Sequence, residues 1–196
     1  MQRRGGRGAR ERILRHATAL FYDEGIHATG IARLIDTAQV STRTLYQHFP
    51  SKSALVEAYL GHLAESAAAQ LDEHVGRADT PRERLLSVFS MAAEYSVTPS
   101  QAAVARGCPF HNAAVEVGGE MPAVAEQVRQ YKLWVTARLT EIADQANAHD
   151  PQRLGRQLAV LLEGAAALAA SLNSIEPYRD AMEAARLLIA HAIPED

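Results

Sequence analysis

Residues 30–52 read GIARLIDTAQVSTRTLYQHFPSK. Ile31, Leu34 and Ile35 share one face of a helix predicted over about 31–38. Leu45 and Phe49 do the same for a second helix over about 42–48. Gly30 serves as N-cap of the first, and Ser41 is the stronger N-cap of the second. Two short helices joined by a tight turn form a unit that fits its second helix into the DNA major groove. That helix leaves Thr42, Arg43, Thr44 and Gln47 on its outer face. Hydroxyl, guanidinium and amide groups are those that meet base edges and phosphates.

Working outward, helical periodicity runs through the chain and no strand pattern appears. Residues 1–8 (MQRRGGRG) read as a mobile arm, whose Arg3, Arg4 and Arg7, with Arg10, suit phosphates or a minor groove, or simply a solubilising tail. A first helix is predicted from Ala9 to Glu24, closed by Gly25. Ser51 opens a longer helix to about His74. The polar break at 76–79 precedes TPRE, where Thr80 is N-cap, Pro81 the first helical residue and Glu83 the partner in a capping box. Further helices are predicted over about 81–96, 108–117, 122–147, 151–172 and from Pro177 to just before Pro194. The fold class is therefore all-α, with about nine helices. The chain divides into an arm and helix-turn-helix domain (1–52), a connecting helix (53–77) and a second helical domain (78–196).

Charge supports a division of labour. Residues 1–52 hold nine Lys/Arg against four Asp/Glu, a balance of +5; the rest hold 11 against 19, a balance of −8, which together give the net −3. A basic end on an acidic body directs only the first part toward a polyanion, although a merely solvated basic surface would read the same way. The most apolar stretch, LAVLLEGAAALAASL at 158–172, is too short to cross a bilayer and carries Glu163. No apolar run follows the N-terminal arginines, so a cytoplasmic protein without a membrane segment is expected. The single cysteine, Cys108, excludes an intrachain disulfide and any CxxC metal site. No metal and no cofactor is expected.

Thr29, Leu34-Ile35, Ala38, Val40-Ser41, Leu45-Tyr46, His48-Phe49 and Lys52 match in register a pattern that resembles the DNA-binding domain of the TetR family, over about residues 10–60. The resemblance implies a homodimeric regulator on a double-stranded, palindromic operator. It implies DNA contacts from Thr29, Gly30, Ser41, Thr42, Arg43, Thr44, Tyr46, Gln47, His48 and Lys52, with Tyr46 and Lys52 on phosphates. Packing between helices is the other role open to His48, and the favoured one for Phe49. Two positions depart from the pattern: Gln39 stands where the turn usually has glycine, and Arg43 where a small residue is common. Arg43 could read guanine, bind phosphate or do neither.

The second domain reads as dimer face and sensor. Leu158, Leu161, Leu162, Ala165, Leu168 and Leu172, with Ala185, Leu188 and Ile189 on the last helix, suit self-association or intrachain core. The resemblance assigns these two helices to a four-helix dimer interface. RGCPFHNAAVEVGGEMP resembles an LmrA/YxaF-like branch through Gly107, Cys108, Asn112 and Glu116, with LLEGA at 161–165. That branch implies a repressor answering a drug or metabolite. A small, largely apolar effector would meet Phe89, Met91, Tyr95, Phe110, His111, Asn112, Tyr131 and Trp134, with Cys108 at the rim, although each also fits a structural role. Three alternatives stay open: a thiol-based redox sensor through Cys108, a DNA-binding activator without an effector, and an enzyme using Cys108 and His111. The last lacks an orienting acid and an oxyanion hole, so no enzymatic activity is expected.

Overall fold

The computed structural model describes residues 7–96 and 106–194. The described residues form nine helices and no strand: α1 (Arg7–Asp23), α2 (Ile31–Ala38), α3 (Thr42–His48), α4 (Lys52–Gly76), α5 (Pro81–Tyr95), α6 (Pro109–Val117), α7 (Pro122–Gln145), α8 (Pro151–Leu172) and α9 (Glu176–Ala192). None is long and apolar enough to cross a membrane. The all-α architecture is thus the expected one.

The caps explain where the helices begin. Ser41 Oγ accepts from the Thr44 amide at 3.0 Å, and Ser51 Oγ from the Ala54 amide at 3.0 Å. At α5 both halves of the capping box are present: Thr80 Oγ1 accepts from the Glu83 amide, and Glu83 accepts from the Thr80 amide. Asp150 caps α8 through the Arg153 amide at 2.9 Å. Each cap satisfies an amide that the first turn leaves without a helical partner. Several boundaries differ from expectation by one or two residues. Arg7 and Gly8 belong to α1 rather than to an arm, whose other six residues lie outside the described range. At the other end of the chain, α9 starts one residue before Pro177.

Close packing sorts the described residues into two compact units, divided within α4 after Ala64 and within α7 after Arg129. Unit 1 holds residues up to Ala64 together with Pro109–Arg129. Its interior contains Ile13, Phe21, Leu34, Leu45, Leu55 and Tyr59, all 3% exposed or less. Phe21 and Tyr59 meet edge to face at 5.6 Å. This grouping departs from the three consecutive segments read from the sequence. The physical reason is polar as well as apolar: the Gln127 amide donates to the Glu57 carbonyl at 3.1 Å, and Glu116 on α6 reaches the turn after α1.

Unit 2 holds the described residues of Glu65–Cys108 and from Gln130 onward. Its core gathers Leu85, Phe89, Leu139, Ile142, Leu154 and Leu158, with Ala185 and Ile189 from α9. Burying each leucine is worth about 1.5–3 kcal/mol. Helices α7 and α8 touch at Gly155, where a Cβ would lie 2.2 Å from Thr140 Oγ1 and 2.9 Å from the Thr140 backbone nitrogen. The end of α9 is tied to α5 by Arg82, whose guanidinium donates to the Ile193 and Pro194 carbonyls at 2.8 and 2.7 Å.

Candidate nucleic-acid interface

In unit 1, α3 is held from behind. Leu45 and Phe49 are 0% and 2% exposed, and Arg10 of α1 lays its guanidinium 5.2 Å from the Phe49 ring centre. Arg10 is therefore a packing residue as well as a charge, not part of a free arm. With that face anchored, Thr42, Arg43 and Gln47 are exposed, and Tyr46 keeps 44% of its surface in solvent. Thr44 is half-buried, its hydroxyl 2.8 Å from Ser41 Oγ. Gly30 is exposed and caps α2 without a side-chain bond; His48 is half-buried in the last turn of α3. Thus Thr42, Arg43, Tyr46 and Gln47 form an outward row of donors and acceptors, and Lys52 opens the next helix.

Thr29 departs from the expected set. Its side chain is completely buried, its hydroxyl donates to the Gly25 carbonyl at 2.7 Å, and its amide bonds the same carbonyl at 3.2 Å. A hydroxyl spent inside the protein has nothing to offer DNA. Thr29 instead fixes the turn that leads into α2.

The turn between α2 and α3 is left-handed at Gln39, the position where the pattern usually has glycine. That residue has φ 52° and ψ 52°, the left-handed conformation that usually selects glycine. The Val40 amide bonds the Ile35 carbonyl at 3.2 Å, closing a Schellman-type cap. Gln39 adds a bond glycine cannot make: its Nε2 donates to the Asp36 carbonyl at 2.7 Å.

Lys52 is half-buried, and loss of hydration holds its ammonium below the usual lysine range, while the nearby Glu116 carboxylate acts in the opposite sense. Lys52, at the start of α4, is therefore under the influence of α6.

The residues read as effector contacts divide between the two units. On α6 in unit 1, Phe110 is buried, Asn112 half-buried and His111 exposed. In unit 2, Phe89 is core and Met91 packs against it, whereas Tyr95 is 54% exposed with its ring edge on His74. Cys108, Tyr131 and Trp134 come together there. Tyr131 and Trp134 stack at 5.7 Å, Lys132 donates to Cys108 Sγ at 3.1 Å, and the same ammonium pairs with Glu163. Burial pushes the Tyr131 phenol far up, with Cys108 and Glu163 adding to the shift. Burial also raises Tyr178, whose hydroxyl is 2.7 Å from that of buried Ser96. Lys132, Tyr178 and Ser96 are absent from the sequence reading. The only hint of this polar cluster was Glu163, a lone charge in an apolar stretch.

Of the residues read as a dimer face, Leu158, Ala165, Ala185 and Ile189 are 3% exposed or less and are occupied by the core of their own unit. Leu161, Leu162 and Leu188 are half-buried. Leu168 and Leu172 are 54% and 64% exposed, joined by Val160 at 72% and Leu187 at 69%.

Comparison with known proteins fits this geometry. Residues 13–59 match the profile of bacterial regulatory proteins of the tetR family, and residues 81–185 match that of a tetracyclin repressor-like C-terminal domain. The crystal structure of SCO4454, a TetR-family transcriptional regulator from Streptomyces coelicolor, superposes with a TM-score of 0.85. It is 31% identical, over 94% of this chain and 95% of that one. The uncharacterized HTH-type transcriptional regulator Rv0196 of Mycobacterium tuberculosis is 27% identical, over 96% of this chain and 97% of its own length. The HTH-type transcriptional repressor KstR2 of Mycolicibacterium smegmatis is 29% identical over 85 residues, 43% of this chain and 42% of that protein, so the match spans less than half of KstR2. A helix-turn-helix with its polar row outward and a second helical domain, matched along most of the chain, place this protein in the tetR family of bacterial transcriptional regulators.

Proposed function

We propose that the protein is a ligand-responsive transcriptional repressor that grips a palindromic operator as a homodimer and releases it when a small, largely apolar effector binds. The observation that carries this reading is the outward row Thr42, Arg43, Tyr46 and Gln47 on a helix whose other face is locked by Leu45 and Phe49. Gly30, Ser41, Thr44, His48 and Lys52 complete the DNA-facing set, Ser41 and Thr44 in part by shaping the start of the helix. Residues 1–52 do the reading, 53–77 connect, and 78–196 sense and dimerise, with α6 and the start of α7 (Pro109–Arg129) the part of that last segment in unit 1.

Dimerisation follows from what α8 and α9 leave uncovered. Leu168 and Leu172 lie one turn apart on one face of α8, with Val160 exposed about a quarter-turn round the helix and Leu187 on the adjoining α9. An apolar stripe in water is stabilised by covering it. A second copy would also supply the second recognition helix, one DNA turn away at about 34–36 Å. Leu161, Leu162 and Leu188 flank the stripe. The effector would be met by the aromatic and thiol side chains Tyr131, Trp134 and Cys108, with Lys132–Glu163 as polar anchor. Phe89, Met91 and Tyr95, in the same unit, would shape the surroundings, and the Gly107, Cys108, Asn112, Glu116 pattern supports the LmrA/YxaF-like assignment. Release then follows from the difference in effector affinity between two dimer shapes.

The test is footprinting on the DNA flanking the protein's own gene, with a compound panel. A palindromic footprint erased by one compound supports the proposal; a footprint without symmetry, or none, refutes it. Leu168→Glu should turn a dimer into a monomer in sedimentation, and a dimer that survives it would remove this face from the account. A second reading, thiol sensing, is favoured by one observation: the Lys132 ammonium 3.1 Å from Cys108 Sγ, which would stabilise a thiolate. Slow labelling by iodoacetamide near neutral pH would eliminate it. An activator without an effector would leave the footprint intact with every compound and raise transcription from the bound promoter.

A further inference from the structure

Glu116 belongs to the Gly107, Cys108, Asn112, Glu116 pattern, yet spacing gives it no task. In the structure its carboxylate leaves α6 and closes on the turn after α1. Glu116 Oε2 accepts the Ile26 amide at 2.7 Å and the His27 amide at 3.1 Å. The His27 ring Nε2 lies 2.6 Å from the Glu116 carbonyl oxygen. Ile26 is 2% exposed, so the carboxylate serves a donor in a largely buried turn, where an unmet donor is costly. Gly25 is shaped for this clasp. It has φ +96°, and a Cβ there would sit 3.0 Å from Glu116 Oε2.

The clasped turn leads directly into the DNA-reading elements. Gly25 gives its carbonyl to Thr29, Thr29 precedes the N-cap Gly30, and α2 sets the turn into α3. The charged groups facing the carboxylate are few. Lys52 feels its field, and Glu120 lies 3.8 Å from the His27 ring. We propose that Glu116 is a positioning residue for operator binding: by holding the Ile26 and His27 amides it fixes where α2 and α3 present Thr42, Arg43 and Gln47. It touches no DNA. The inference rests on the DNA-binding reading above, and concerns which residue sets the height and angle of the recognition helix.

Two opposed effects make it testable. A glutamine at 116 still accepts both amides through its carbonyl oxygen, but removes a negative charge whose field Lys52 feels. An alanine leaves both amides without a partner. Operator affinity is measured for wild type, Glu116→Gln and Glu116→Ala at one salt concentration, with amide hydrogen exchange at Ile26 and His27. We expect Glu116→Ala to bind roughly tenfold more weakly, about the equilibrium equivalent of one charge-assisted hydrogen bond, with fast exchange at both amides. Glu116→Gln should bind within about twofold of wild type, or more tightly, with both amides still protected. A folded Glu116→Ala protein with wild-type affinity overturns the proposal. So does a Glu116→Gln protein as weak as Glu116→Ala, which would make the charge, not the turn, responsible. Should alanine prevent folding, Glu116→Asp, one methylene too short to reach both amides, takes its place with the same expected loss. Wild-type protein that binds no flanking DNA would instead refute the underlying DNA-binding reading.

Discussion

Replacing Gln39 by glycine isolates one backbone conformation. In the left-handed region at φ 52°, ψ 52°, a residue with a Cβ is strained by about 1–2 kcal/mol. Glycine removes that strain but costs about 0.4–1 kcal/mol through the greater freedom of the unfolded chain. It also loses the Gln39 Nε2 bond to the Asp36 carbonyl, an exposed bond worth about 0.5 kcal/mol. The net gain for Gln39→Gly is therefore only a few tenths of a kcal/mol, smaller than strain alone suggests. The decisive comparison is with Gln39→Ala, which keeps the strain and loses the bond. Glycine should exceed alanine by about 0.8 kcal/mol, which for a chain of this size is roughly 2–3 °C in melting temperature. The assay is calorimetry of wild type and both variants at one protein concentration, because the proposed dimerisation would make the midpoint concentration-dependent. An alanine variant melting at or above the glycine variant would show that the turn is not strained as the dihedral angles require. Wild type melting well above both variants, with glycine still above alanine, would show that the side-chain bond outweighs the backbone strain at this turn.

Other outcomes can be stated more briefly. Gly155→Ala should destabilise by about 1–3 kcal/mol, because its Cβ meets the Thr140 backbone and α7 must shift; an unchanged melting temperature would contradict that contact. Thr80→Ala should cost about 1 kcal/mol by removing the α5 cap. The bond from the Thr80 amide holds the Glu83 carboxyl below its usual range. A depressed folded pKa means stability that is present above the unfolded value and lost as pH falls through the folded one, so Glu83→Gln should flatten the acid limb of the stability curve. Arg43→Ala should relax preference at one operator position if Arg43 reads guanine; a uniform loss across operator variants would make it a phosphate contact.

The fold was legible because its signals are local. Ser41, Thr80 and Asp150 each announce a helix start through a side chain that reaches only three residues ahead. Ile13, Leu34, Leu45 and Leu55 fall on one face of their helices by simple periodicity, and all are fully buried. The positive φ at Gln39 was legible for the opposite reason, as a departure from a familiar pattern whose backbone demand glycine normally meets. What periodicity could not supply was the partner of each apolar face. Leu158 and Leu168 carry the same pattern on α8, yet Leu158 is 0% exposed and Leu168 54%. A helix has more than one apolar flank here, and the packing of α5, α7 and α9 decides which is consumed internally.

The polar contacts were harder to read because their partners are distant in the chain. Glu116 is about 90 residues from the amides it holds, and Lys132 lies 24 residues from Cys108 and 31 from Glu163. No propensity or capping rule reaches that far. Thr29 shows the consequence: matched to the family pattern it reads as a DNA contact, whereas its buried hydroxyl belongs to the turn that Gly25 begins. Placement in a motif and contact with DNA are separate properties. Thr29 serves the turn that leads into α2, the same turn whose Ile26 and His27 amides Glu116 holds from α6. Residues that hold a recognition helix in position are therefore subject to the same demands as those that touch the operator. They are told apart only by where their hydrogen bonds go.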